Sequence, residues 1–237
     1  MDSLHKNEMV IQKMKNYVEA LYEAALKYRN NEEAVKLSNY MRNQFEFIGM
    51  RAPQMREVFK QHVKNYGLPA KEELHQIIPS LWELEEREMQ IAGLYLLDLM
   101  KKQFTEEDLP LLEFIITTKP WWDTIDHIAK KHFGYYLEKF PQLRQQIIDR
   151  WIASGHIWLI RSCILFQLGY KERTDVAMLE DIISRTCHTN EFFINKAIGW
   201  ALREYAKQDP EKVIGITDTY PLSNLSRREA LKHIGKD

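Results

Sequence analysis

The stretch Thr117–Lys130, which reads TTKPWWDTIDHIAK, indicates both the fold and the chemistry of this chain. Thr118 and Pro120 each favour the first turn of a helix, Thr118 through a capping hydroxyl and Pro120 through its fixed φ. The sequence therefore predicts that a helix begins here and covers 119–136.

This predicted helix has an apolar stripe and a mixed flank. At about 100° per residue, the stripe consists of Trp121, Ile125, Ile128 and His132. Trp122, Asp126 and Lys130 follow one another at four-residue intervals along the flank. Asp126 then has two explanations: a surface residue paired with Lys130 one turn later, or a carboxylate fixed for a chemical purpose.

Composition narrows the classes of protein to consider. The 237 residues include 33 basic and 34 acidic side chains, and the balance changes only from −3 (16 against 19) to +2 (17 against 15) after Pro120. A polyanionic partner would therefore have to meet a local basic patch. Cys163 and Cys187 lack disulfide or metal spacing, and no apolar run approaches the roughly 18 residues of a membrane span. We expect a cytoplasmic monomer without metal, cofactor or membrane contact.

Glycine and proline fall mainly between segments with helical periodicity. These segments are 8–29, 32–47, 53–66, 71–80, 83–102, 106–117, 119–136, 141–153, 156–168, 175–187, 191–207, 209–217 and 226–234. So many helices with short turns predict an all-α fold, an α-solenoid of HEAT-like antiparallel helix pairs, against the alternative of a generic bundle. We expect one such domain over 1–237, with a concave basic face.

The segment 191–207 is the clearest amphipathic helix. Its apolar face consists of Ile194, Ala197, Ile198, Ala201, Leu202 and Tyr205, and a separate face carries Lys196, Trp200, Arg203 and Lys207. Cations around an exposed aromatic ring suit a phosphate backbone with a sugar or base beside it. The alternative is that Trp200 covers a neighbouring helix while the cations face solvent.

Arg161 lies in the segment 156–168, which is apolar almost all round and should therefore be buried. A buried guanidinium costs several kcal/mol unless it is paired or hydrogen-bonded. Its partner is either an internal carboxylate, for which Asp126 is the natural candidate, or a phosphate from outside.

Three further residues carry weaker signals. Tyr40, considered alone, is predicted to be a core residue with its hydroxyl satisfied. Arg227 and Arg228 place cations on a terminal helix, where they either bind phosphate or end the chain in solvent, the latter being favoured.

Five segments together resemble the AlkD-type DNA alkylation repair enzymes, which are DNA glycosylases built from HEAT-like repeats. The segments are TTKPWWDTIDHIAK, WIASGHIWLIRSCILFQLGYK, EFFINKAIGWALREYAK, LSNYMRNQFEFIGMRAPQMR and LSRREALKHI. The resemblance covers roughly Ala34 to Ile234. It implies monofunctional excision of 7-methylguanine and 3-methyladenine from double-stranded DNA.

The resemblance also implies roles for individual residues. The catalytic aspartate of the family matches Asp126, its cleft tryptophans match Trp122 and Trp200, its buried arginine matches Arg161, and its cleft tyrosine matches Tyr40. We assign Lys196, Arg203, Lys207, Arg227 and Arg228 to substrate binding. Two positions depart from the family pattern, namely Gly169 in place of a lysine and Pro120 in place of a serine cap.

Two other hypotheses stay open. A non-catalytic HEAT-like scaffold that binds DNA or protein would explain the basic and aromatic face equally well, although not an acidic residue facing a polyanion. An all-α bundle in which Arg161 and Asp126 form a purely structural pair is the third. For the enzyme, we expect a cytoplasmic protein that associates with the nucleoid when it binds DNA.

Overall fold

The computed structural model describes residues 3–234, with side chains from residue 12 onward, and its regular elements are helical, which confirms the predicted all-α class. Outside the helices, this part of the chain has one isolated β-bridge, between Glu46 and Glu86. The α-helices are α1 Ser3–Leu26, α2 Asn31–Tyr40, α3 Ala52–Tyr66, α4 Leu74–Glu83, α5 Arg87–Met100, α6 Leu109–Thr117, α7 Trp122–His127, α8 Gly134–Lys139, α9 Arg144–Ala153, α10 Ile157–Leu165, α11 Val176–Thr186, α12 Phe192–Tyr205, α13 Pro210–Thr219 and α14 Asn224–Ala230.

The chain divides into two compact units, Met1–Gln103 and Phe104–Asp237. In the first unit, α1 packs against α3 and α4, and α5 packs against α3 and α4. The single HEAT-like domain over 1–237 stays a prediction, as does its solenoid form, and its first two and last three residues lie outside the described part. Among the described residues, every helix is too short or too polar to cross a bilayer.

The helix predicted over 32–47 ends at Tyr40, so the prediction is wrong for its second half. Arg42 and Asn43 have φ of 57° and 54°, in the left-handed region that interrupts a helix. The chain that follows is held by the buried carboxylate of Glu88, which accepts hydrogen bonds of 2.9–3.0 Å from the backbone N–H groups of Ile48, Gly49 and Met50. Tertiary hydrogen bonding therefore overrides the local helical pattern here.

The helix predicted to begin at Thr118 and Pro120 begins instead at Trp122, with Trp121 as its N-cap. Thr118 is the C-cap of α6, and Lys119 has a φ of 48°, which breaks the chain direction between the two helices. Pro120 fixes the φ of this connection and not that of a first helical turn. The capping interpretation of this pair is therefore wrong, although a helix does follow within two residues.

A π-helical turn, Ile128–Phe133, joins α7 to α8. Ile125, Ile128 and His132 are fully buried, which confirms most of the predicted apolar stripe. Wide turns of this kind occur mostly as single insertions and are frequent at functional sites. Here the wide turn begins two residues after Asp126.

Helix α10 is the central helix of the second unit. It packs against α6, α7, α9, α11 and α12, and all its residues from Trp158 to Leu165 are buried. The prediction that this helix is buried almost all round, with Arg161 inside it, is confirmed.

Gly134, at the start of α8, provides a test of this packing. A Cβ at Gly134 would lie 2.4 Å from the carbonyl oxygen of Phe166, whereas a Cβ at Gly215, on the exposed side of α13, would meet nothing within 4 Å. Gly134→Ala is expected to lower the free energy of unfolding by about 1–2 kcal/mol, because overpacking outweighs the gain in helix propensity. The control Gly215→Ala should raise it by about 0.5–1 kcal/mol. Urea denaturation measures both, and a Gly134→Ala protein as stable as the parent would contradict the packing described here.

Candidate active site

Asp126 and Arg161 form a bidentate ion pair between α7 and α10. The Nε of Arg161 donates to Oδ1 of Asp126 at 2.8 Å, and Nη2 donates to Oδ2 at 3.0 Å. Parallel charge-assisted bonds of this kind fix both distance and orientation. Of the two partners predicted for Arg161, the structure therefore shows the internal carboxylate. The alternative pair between Asp126 and Lys130 is not formed among the described residues.

A third hydrogen bond ties Arg161 to α12. Its Nη1 donates to the carbonyl oxygen of Phe193 at 2.5 Å, and the Phe193 ring centroid lies 5.9 Å from the guanidinium carbon. One guanidinium thus connects α7, α10 and the start of α12. Sequence analysis missed Phe193, because a backbone acceptor leaves no trace in residue type.

The two members of the pair differ in exposure. The Arg161 side chain is 4% exposed and that of Asp126 is 19% exposed. The guanidinium is therefore an interior group, while the carboxylate keeps an edge at the surface. This is the arrangement expected if an external group approaches Asp126 and not Arg161.

Burial raises the pKa of Asp126 above its ordinary value, the hydrogen bonds and charge of Arg161 lower it, and the charge of Asp123 raises it. Because a guanidinium does not deprotonate in proteins, its positive charge favours the ionised form of the paired carboxylate. Since the raised pKa brings protonation to a higher pH than for an ordinary aspartate, any activity that requires the carboxylate is lost as the pH falls through this pKa.

The two predicted site tryptophans are half-buried on different helices. Trp122 opens α7, one turn before Asp126. Trp200 lies on α12, seven residues after Phe193 and therefore on the same helix face, about 10 Å farther along the axis. Each ring has part of its surface outside the core.

Trp121, the neighbour of Trp122, belongs to an aromatic cluster with Trp158 and Phe193. Its ring lies 5.8 Å from that of Trp158 and 5.3 Å from that of Phe193, and the latter two rings are 4.8 Å apart. Aromatic rings at these separations stabilise one another beyond their burial. The cluster therefore holds the first turns of α7, α10 and α12 together around Arg161.

The cations predicted on α12 are ion-paired and also partly exposed, so the alternative in which they face solvent stays open. Lys196 lies 2.9 Å from one carboxylate oxygen of Glu229, and Arg203 donates to the other. Lys207 pairs with Glu204 at 2.7 Å. Sequence analysis missed Glu229, although its place among the cations of the terminal segment was a visible signal.

The remaining predicted binding residues are more scattered. Arg227 pairs with Asp218 at 3.1 Å and donates to the carbonyl of Thr217. Arg228 is exposed and has no ion pair in the described part of the chain. Tyr40 ends α2 in the first unit with 68% of its surface exposed, so the expectation that it is a core residue is wrong.

Gly169, the departure from the expected lysine, has a structural reason. Its φ of 96° lies in the left-handed region, where a lysine side chain would be strained. A Cβ there would lie 3.2 Å from Cε and 3.9 Å from Nζ of Lys130. The ammonium group of Lys130 therefore stands beside the position where the missing cation was expected.

A family model described as DNA alkylation repair enzyme matches residues 22–234. The chain belongs to this family. The match begins earlier than the resemblance traced from Ala34 and includes every residue of the site described above.

A solved structure supports the same assignment. It is a predicted DNA alkylation repair enzyme from Enterococcus faecalis, with 33% identity and a TM-score of 0.81, and the similarity covers 88% of this chain and 98% of that one. No curated protein gives a significant match. As a member of the DNA alkylation repair enzyme family, the protein is an enzyme of alkylation repair whose partner is DNA.

The interior position of Arg161 generates a stability prediction. Arg161→Ala should lower the free energy of unfolding by about 3–5 kcal/mol, because it leaves a mostly buried carboxylate without its partner. The matched control is Arg150→Ala, which breaks the 2.6 Å pair of an exposed arginine with Glu113. That change is expected to cost about 0–1 kcal/mol. Equal losses in chemical denaturation of the two variants would show that the Asp126–Arg161 pair is not the interior constraint described here.

Proposed function

We propose that the protein is a monofunctional DNA glycosylase that hydrolyses the N-glycosidic bond of cationic alkylated purines, 7-methylguanine and 3-methyladenine, in double-stranded DNA. The observation that carries the proposal is Asp126, an ionised carboxylate with an exposed edge, fixed by a buried guanidinium in an enzyme whose partner is DNA. The Arg161 guanidinium offsets the repulsion between this carboxylate and a polyanion, and a cation that develops at the exposed edge would be attracted to it.

The chemistry requires stabilisation of the sugar more than activation of the base. Alkylation at N3 or N7 gives the purine a formal positive charge, so the base departs with the electron pair of the C1′–N bond and becomes neutral. Positive charge then develops on the deoxyribose, water adds to C1′, and one proton is released. No general acid is needed for a cationic leaving group, which agrees with a site built around one carboxylate.

Asp126 is proposed to stabilise this sugar cation and to orient the water. Charges that are already in place cost no reorganisation during the reaction, and losing one such group typically slows an enzyme by about 10²–10³-fold. Arg161 uses Nε, Nη1 and Nη2 on Asp126 and Phe193. We therefore assign Arg161 to positioning the carboxylate and not to holding a phosphate.

Trp122 and Trp200 are proposed to contact the deoxyribose with their ring faces. The negative face of an indole attracts a nearby cation by about 0.5–2 kcal/mol. The position of Trp122 one turn from Asp126 on α7 supports this role for it. For Trp200 the support is its half-exposed position on α12, the helix that also holds Arg161 through Phe193.

Basic side chains are proposed to hold the DNA backbone without reading sequence, as a repair enzyme requires. Exposed Arg228 supports this most simply, and Lys196, Arg203, Lys207 and Arg227 contribute if their present partners give way to phosphates. We propose the same function for the exposed ring of Tyr40. The protein would act as a monomer in the cytoplasm, on the nucleoid when DNA-bound, without a metal or cofactor.

The proposal predicts which bases are released. Incubation with methylated duplex DNA should free 7-methylguanine and 3-methyladenine and leave abasic sites without strand cleavage. A duplex containing a neutral lesion such as uracil should release nothing above background, because a neutral base needs a proton donor to leave and the proposed mechanism supplies none. Chromatography of the freed bases measures both results.

Two outcomes would contradict the proposal. Binding of methylated duplex without any base release would favour the non-catalytic scaffold. Efficient release of the neutral base would show that a proton donor acts in the site and that the charge of the lesion is not what the enzyme exploits.

A further inference from the structure

Lys196, Arg203 and Glu229 form a compact ionic cluster between α12 and α14. One oxygen of Glu229 lies 2.9 Å from Nζ of Lys196, and the other accepts from Nη1 of Arg203. Lys196 and Arg203 are seven residues apart on α12, and Trp200 lies between them on the same face. A single carboxylate therefore bridges two cations beside the indole.

Close packing between α12 and α14 positions the residues of this cluster. A Cβ at Gly199 would lie 2.6 Å from Cβ of Glu229 and 2.9 Å from the carbonyl of Ser226, so α14 approaches α12 as closely as its backbone allows. The hydroxyl of Ser226 donates to the carbonyl of Asn195 at 2.8 Å. The backbone of α14 is thus fixed against α12, which places Cβ of Glu229 beside the cations, while the carboxylate lies at the end of rotatable side-chain bonds.

The charges of the cluster do not cancel. Two cations share one carboxylate, which leaves a net charge of +1. The hydrogen bond from Lys196, with the attraction of both cations, holds the pKa of Glu229 below its usual range, so the carboxylate is charged at neutral pH. The Glu229 side chain is only 13% exposed, while that of Lys196 is 39% exposed. The Arg203 side chain is 23% exposed. An external anion can therefore reach Lys196 directly and the exposed part of Arg203.

We propose that Lys196 and Arg203 form a binding site for a DNA phosphate, and that Glu229 occupies this site in the free protein and competes with the phosphate. Carboxylate and phosphate oxygens accept the same charge-assisted hydrogen bonds from lysine and arginine. The inference rests on the proposed function, since it identifies how the face around Trp200 meets the DNA backbone. In this proposal Glu229 is an internal competitor that weakens binding of the enzyme to duplex DNA.

The competition has a thermodynamic signature. Each phosphate neutralised by a protein cation releases counterions, which gives a slope of about −0.9 in log K against log salt concentration. A phosphate that displaces Glu229 releases a carboxylate that must itself be neutralised by salt. The parent protein should therefore show a shallower salt dependence than its cations alone would give.

The test is a salt titration of binding to an unmodified duplex, in which no base is released. Glu229→Gln is expected to bind about three- to tenfold more tightly at moderate salt and to steepen the slope by about one phosphate contact. Glu229→Asp keeps the charge and should retain the parent slope. In the Glu229→Gln background, Arg203→Ala should reverse the steepening, which assigns the effect to this cluster.

Glu180→Gln is the matched control, because Glu180 is a half-buried partner of Lys212 at 3.0 Å and its loss changes the net charge equally. It should leave the slope unchanged. Equal tightening by Glu180→Gln and Glu229→Gln would overturn the inference, since net charge alone would then be responsible. An unchanged or shallower slope for Glu229→Gln, with its helical circular dichroism intact, would overturn it too.

These results are separable from the proposed function. Base release by the parent together with an unaltered Glu229→Gln slope would reject the inference and leave the glycosylase proposal standing. A steeper Glu229→Gln slope without base release would reject the glycosylase and retain the phosphate site of a DNA-binding protein.

Discussion

The buried ion pair between Asp126 and Arg161, with the Phe193 carbonyl, holds α7, α10 and α12 of the second unit together. Removing a guanidinium from water costs several kcal/mol, and the fold offsets this because Arg161 donates two hydrogen bonds to Asp126 and one to the Phe193 carbonyl. An apolar residue at position 161 would avoid the cost altogether. The retention of a charged group in the most buried helix is therefore best explained by what it does for Asp126, whose carboxylate it holds at the surface in one orientation.

Helix α12 links this interior pair to the proposed DNA-binding face. Its first turn supplies the Phe193 carbonyl that fixes Arg161, and the turns that follow carry Lys196, Trp200 and Arg203. Two of the carboxylates that arginines hold in this unit have different proposed roles. Asp126 is fixed where a cation is proposed to develop, while Glu229 is proposed to yield its place to a phosphate. The same type of ion pair fixes Asp126 in one orientation and, as proposed, allows Glu229 to be replaced by a phosphate.

The sequence predicted most of the helices, and it named Asp126 as one of two possible partners of Arg161, because these predictions depend on local pattern and on one clear cost. Helical periodicity marks each element, and a guanidinium in an apolar helix demands a partner. It could not predict where α2 ends, because the buried carboxylate of Glu88 decides that from outside the segment. The capping signal at Thr118 failed because Thr118 ends α6 as its C-cap and the left-handed backbone of Lys119 separates it from α7. Phe193 was missed because a backbone carbonyl leaves no trace in residue type. Glu229 was missed because its partners lie on another helix, although its position among the cations of the terminal segment was visible.

The central claim is that the charge of Asp126 stabilises a cationic sugar, and the most direct measurement is the single-turnover rate of 7-methylguanine release by Asp126→Asn. The rate should fall at least about a hundredfold while duplex binding stays close to that of the parent. Asp123→Asn, which removes the same charge from the same helix, should lose only a few-fold. An Asp126→Asn rate within tenfold of the parent rate would contradict the claim, because the carboxylate would then be a structural partner of Arg161 and no more.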